Sequence, residues 1–92
     1  MIGLAKGQQI LDKIKVQSKM GLGTLYLLNT GIAAEASGNG LCLELLYDEI
    51  LSNAAKKDSL VISWTEGLAT YEMKFNIKNA AEVAQKINQY KK

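Results

Sequence analysis

Short alternations of apolar and polar residues, broken by glycine and asparagine, run through most of this chain. That rhythm predicts small antiparallel strands. It is cleanest from Thr70 to Ile77, where Tyr71, Met73, Phe75 and Ile77 alternate with Thr70, Glu72, Lys74 and Asn76. Successive strand side chains point to opposite faces, which sets the first group inward and the second outward. Gly23 to Leu28 is apolar on both faces and reads as a buried central strand. Asn29-Thr30-Gly31 then turns the chain as a tight hairpin.

The remaining elements fall in order around that strand. Ile10 to Lys19 supports two readings. Ile10, Leu11 and Ile14 share a helical face, whereas Ile10, Ile14 and Val16 share a strand face with Lys13, Lys15, Gln17 and Lys19 opposite. The β-branched content favours the strand. Gly21 and Gly23 mark the turn that follows. Ile32 to Ala36 is a third strand, Ser37 to Gly40 a turn, and Leu41 to Leu46 a fourth strand with Leu41, Leu43 and Leu45 on one face. Tyr47-Asp48-Glu49 interrupts that run, Ile50-Leu51 resumes it as a short fifth strand, and Ala54 to Asp58 is a polar connection. A helix from about Tyr47 to Lys57 competes, because Leu46, Ile50, Leu51 and Ala54 also recur at helical spacing. Ser59 to Thr65 alternates again, with Leu60, Ile62 and Trp64 against Val61, Ser63 and Thr65, before Glu66-Gly67 turns the chain.

Residues 79–91 change period. Ala80, Val83, Ala84, Ile87 and Tyr90 form one apolar stripe of a helix, with Asn79 placed to cap it and Glu82 to answer the cap. Lys91 and Lys92 suit the negative end of its dipole. Such a stripe must be buried against a sheet edge or a barrel mouth. The prediction is a mainly β fold: a β-sandwich or partly open barrel of about seven antiparallel strands, capped by a C-terminal α-helix.

Composition narrows the chemistry. At 92 residues the chain is expected to form a single domain over 1–92, with 1–8 as a loose lead-in. Eleven lysines against nine acids leave a charge of +2, a mild surplus that does not imply nucleic acid. Without arginine, planar bidentate capture of phosphate is not available. Without histidine, the commonest general base and metal ligand are missing. Cys42 is the lone cysteine, flanked by Leu41 and Leu43, and reads as a small core hydrophobe in a reducing compartment. Asp48-Glu49 reads as a turn and not as an acid/base pair. No nucleophile–base pair, metal-ligand spacing or nucleotide motif is present, so the expectation is no enzyme, no cofactor and no metal. No apolar run approaches the ~20 residues that span a bilayer, and no signal peptide is visible. A cytoplasmic location is expected, with the membrane periphery as its variant.

Three stretches carry a family resemblance. Gly23 to Asn29 resembles the second strand of pleckstrin-homology-like (PH-like) domains, and Leu45 to Ile50 is similar to their strand that ends in an acidic step before Ile. Ser59 to Ile62 with Tyr71 to Phe75 resembles their last hairpin. The likeness covers roughly residues 8 to 91 and is nearest to the GRAM and bacterial PH-like branch. It implies a PH-like domain that binds a ligand or partner without catalysis. Phosphoinositide-binding members carry a Lys/Arg-x-Arg on the second strand, where this chain reads Gly-Thr-Leu-Tyr-Leu. The Trp of the eukaryotic C-terminal helix is also absent, and Trp64 lies on a strand.

Two sets of candidate site residues remain. Lys13, Lys15 and Lys19 would line one face of the first strand, either as a patch for anionic lipid headgroups or as a solvated edge that discourages aggregation. Trp64 is a core residue or, if exposed, the anchor of a partner surface. The function expected is a non-catalytic module binding a protein or peptide along a sheet edge or beside the helix, a second copy included. Weak recognition of anionic lipid is the alternative.

Overall fold

The computed structural model describes residues 6–18, 21–37 and 40–91, apart from the side chains of residues 41 and 42. Seven strands are followed by one helix: β1 (Ile10–Ser18), β2 (Gly21–Leu28), β3 (Gly31–Ala36), β4 (Gly40–Leu46), β5 (Ile50–Lys56), β6 (Ser59–Glu66), β7 (Ala69–Asn76) and α1 (Ala80–Tyr90). All strand pairs are antiparallel, in the order β4-β3-β2-β1-β7-β6-β5. The sheet is open. Its two edge strands, β4 and β5, are consecutive in the chain and joined by a single 3-10 turn, Tyr47–Glu49. Strands so far apart in the sheet can be joined by three residues only if the sheet coils back on itself, which is the partly open barrel expected from the sequence.

The ambiguous 10–19 segment is a strand. It pairs with β2 from Ile10↔Leu28 to Ser18↔Gly21, with an irregularity between Ile10 and Asp12 that keeps Ile14 and Val16 toward the core. Glycines placed in a turn by the sequence belong partly to strands. Gly23 lies inside β2 because a Cβ there would run into the Glu35 carbonyl oxygen of β3, and Gly31 opens β3 against the Leu45 carbonyl in the same way.

The 47–57 segment resolves in favour of a strand, and a longer one than the pattern predicted. β5 runs to Lys56 because β6 offers a full partner, from Ile50↔Trp64 to Lys56↔Ser59, and the polar connection shrinks to Lys57-Asp58. Helical geometry survives only in the 3-10 turn. There the Glu49 carboxylate accepts the Leu46 N–H at 2.8 Å, and the buried Tyr47 hydroxyl donates to the Leu28 carbonyl at 2.5 Å. That second bond ties the corner to the end of the central strand.

The core lies on the concave face of the sheet. Leu25, Leu27 and Ile32 come from the first half of the chain, Leu60, Ile62 and Phe75 from the second, and Ala80, Val83 and Ile87 of α1 close it. The opposite face of β2 is also covered: Tyr26 and Leu28 are buried with Ala33, against Ile10. Four consecutive buried residues, Leu25 to Leu28, make β2 the central strand that its sequence indicated. The lead-in is tied down where it is described. Asn29 bonds both Gly7 and Gln9, and the Gln8 amide donates to Thr30 Oγ1.

Asn79 takes the N-cap position as expected, but it makes no side-chain cap. Its backbone carbonyl, not its amide side chain, receives the Val83 N–H, at 3.1 Å. Tyr71 also departs from the prediction. It sits on the core-facing side of β7 yet is 46% exposed, because it lies one row beyond Met73, where the core stops.

The Tyr47 bond supplies a first test. Replacing Tyr47 by Phe leaves the Leu28 carbonyl without its donor and should cost about 1–3 kcal/mol in urea unfolding at neutral pH. Burial, with a smaller contribution from Tyr90, pushes the Tyr47 phenol up to about 12. An unfolded tyrosine ionises near ~10, so this stabilisation is complete below that pH and disappears as pH rises toward 12. The gap between wild type and Tyr47→Phe should therefore narrow through that window. An unchanged gap at pH 12 would contradict the buried phenol.

Candidate functional site

β5 is the feature with a free side. As the last strand of the sheet it pairs with β6, and among the described residues the hydrogen-bonding groups of its outer edge have no strand partner. The helix packs beside it. The Asn53 amide nitrogen donates to Asn88 Oδ1 of α1 at 3.1 Å, joining strand to helix near that edge. Asn53 Oδ1 is buried and finds no hydrogen-bond partner among the described residues. An acceptor left so typically costs about 1–3 kcal/mol. Ala81, Gln85 and Asn88, spaced at three and four residues, form one side of α1 that carries no charge. β5 thus combines a strand edge unpaired among the described residues with an unmet acceptor, Asn53 Oδ1, on its core-facing side beside α1.

The opposite edge differs. β4 carries Leu46 and Glu44, both exposed. A helix-strand ion pair closes the far side of the core, where Lys86 of α1 meets Asp12 of β1 at 2.5 Å. The hydrogen bond from Lys86 holds the Asp12 carboxyl below its ordinary range and raises the lysine in return.

The sequence candidates are separated by the fold. Lys13 and Lys15 are exposed on the outer face of β1, opposite Tyr26 and Thr24 of β2. Thr24 in turn faces Glu35 on β3, whose carboxylate accepts from the Tyr26 hydroxyl at 3.2 Å. Burial and that carboxylate raise the Tyr26 phenol. The two lysines therefore share their face with an acid, a juxtaposition that only strand register reveals. Lys19 lies outside the described residues, as does the side chain of Cys42. Trp64 is partly buried against the core and stacks on Tyr71, with ring centroids 6.1 Å apart at 25°. The sequence search missed Asn53, since nothing in an Asn between Ser and Ala signals a buried carbonyl.

Among the described residues, no three His, Cys, Asp or Glu side chains gather in a way that would hold a metal ion, and no helix is long and apolar enough to cross a membrane.

No protein-family model and no curated protein sequence matches the chain. Among solved structures, it is similar to the MyTH4-FERM MF2 domain of Dictyostelium discoideum myosin VII. The match has a TM-score of 0.74 over 87% of this chain at 13% sequence identity. The chain spans 17% of that protein's length. At so low an identity the likeness defines a fold, and the fold is PH-like: a coiled seven-stranded antiparallel sheet closed by a C-terminal helix.

Proposed function

We propose that this chain is a non-catalytic interaction module that receives an extended peptide as an added strand on β5, in the groove beside α1. The observation that carries the reading is Asn53. Asn53 belongs to the edge strand and holds a buried acceptor beside α1; a side-chain N–H of the incoming peptide satisfies it, and main-chain pairing along β5 supplies the rest of the affinity. The PH-like fold supports this use, and the MyTH4-FERM likeness gives it a structural setting and no ligand. Within the fold, the stretches 23–29, 45–50 and 59–62 favour the GRAM and bacterial branch. Anionic lipid is the lesser reading. Near-surface lysines contribute about 1 kcal/mol each toward an anionic membrane, and Lys13 and Lys15 have Glu35 on their face.

The test uses peptides selected from a displayed random library against the whole domain. Amide hydrogen exchange should slow across Ile50–Lys56 in the complex. Asn53→Leu should change stability little, since it removes an unpaired buried oxygen along with one hydrogen bond to the exposed Asn88, while weakening the selected peptide about fivefold or more. Unchanged exchange along β5, or an Asn53→Leu variant that loses stability and binds normally, would sink the reading.

A further inference from the structure

The end of the molecule where β6 turns into β7 carries features that the β5 groove does not use. Trp64 and Tyr71 are a cross-strand pair on the core-facing side of the sheet, but they form its last row. Ile62 and Met73, one row in, are buried, whereas Tyr71 stands in solvent and Trp64 is only partly covered. Leu68 at the hairpin tip is fully exposed, and Leu51, next to the Ile50 that pairs with Trp64, is 59% exposed. Aromatic pairs of this kind are common anchors of interfaces, and their faces attract cations.

The segments that build this row carry acidic side chains. Asp48 and Glu49 immediately precede Ile50, and Glu66 accepts the Trp64 indole N–H at 3.4 Å. Residues 20–55 and 58–73 contain no lysine, and the chain has no arginine. Lys56, Lys57, Lys74 and Lys78 belong to the other ends of the same strands and the segment after β7, and Lys86, Lys91 and Lys92 to α1 and the residues that follow it. The apolar row is thus bordered by carboxylates with no basic residue in the segments that build it.

We propose that the Trp64–Tyr71 row with Leu68 is a second docking surface, taking a basic amphipathic segment of a partner protein: an aliphatic or aromatic anchor flanked by Lys or Arg. The anchor covers the aromatic pair, and the flanking cations meet Glu66 and the Asp48-Glu49 pair. A second copy of this chain would bring its lysine-bearing strand ends, which lack a comparable apolar anchor, and is the poorer complement.

Trp64 is the only tryptophan, so its emission reports the site directly. The probes are three synthetic peptides of equal length, composed of Leu and Lys, Leu and Glu, and Ser and Lys. The Leu/Lys peptide should give a saturable blue shift that weakens with salt, and the other two should give none. Leu68→Ser and Glu66→Lys, both at exposed hairpin positions and checked for unchanged circular dichroism, should each weaken it about tenfold. Glu66→Gln, which keeps an acceptor for the indole, should show an intermediate loss. An equal response to Leu/Glu, no response to Leu/Lys at low salt, or indifference to Leu68→Ser and Glu66→Lys would overturn the proposal. So would a blue shift that appears with protein concentration alone, because it would assign the surface to a second copy.

Discussion

Phe75→Ala should bring this domain close to unfolding at ordinary temperatures. Phe75 is 1% exposed and belongs to a core cluster drawn from both halves of the chain and from α1. Truncating a buried Phe to Ala costs about 3–5 kcal/mol, through lost transfer energy and a cavity that the surroundings fill only in part. Whole-domain stabilities run at about 0.05–0.15 kcal/mol per residue, roughly 5–14 kcal/mol for a chain of this size. The substitution therefore removes a large share. Tyr71→Ala, on the same strand and face but 46% exposed, is the control and should cost less than half as much. Urea unfolding of the two variants decides the point. Equal losses would mean that the core extends to the Trp64–Tyr71 row.

The second large effect comes from a residue with no side chain. Gly31→Ala should destabilise by about 3 kcal/mol or more, because the new Cβ meets the Leu45 backbone carbonyl and only a shift of β3 away from β4 relieves it. Gly67→Ala is the comparison. Its Cβ would point into open space, but its φ of +62° is a conformation that side chains resist, at a cost of about 1–2 kcal/mol. The two glycines are required for different reasons, crowding in one and backbone twist in the other. Thermal or chemical melts should rank Gly31→Ala as clearly the worse. A reversed order would mean that the β3–β4 contact yields easily.

The features legible in the sequence are those set by local alternation. The 70–77 pattern placed β7 and put Met73, Phe75 and Ile77 in the core, and the stripe of Ala80, Val83 and Ile87 found the buried face of α1. Alternation assigns a face and not a depth, which is why Tyr71 was expected inside and stands half in solvent. The 47–57 segment carried two periodicities at once, and what decides between them is β6, a partner the segment meets only after the chain reverses. At the candidate site, the outward Lys13 and Lys15 were readable, but Glu35 across two strands was not. Asn53 is the extreme case. Its significance depends on a helix residue 35 positions away and on an edge that exists only once all seven strands are ordered.

The seam between β1 and β7 bears on how the chain reaches this structure. Every other strand pairing joins sequence neighbours: β1 to β4 form one meander and β5 to β7 another, while β1 and β7 meet, among the described residues, at the register pair Gln17↔Asn76. For an all-β sheet this is an unusually local wiring, with little loop-closure entropy opposing each step. Each meander can zip from its own hairpins, and the slow event is their docking, with α1 and the Tyr47 corner completing the union. The same line, with the fewest register pairs among the described residues, is where native-state opening should start, dividing the domain into a half that ends at Leu46 and a half that begins at Ile50.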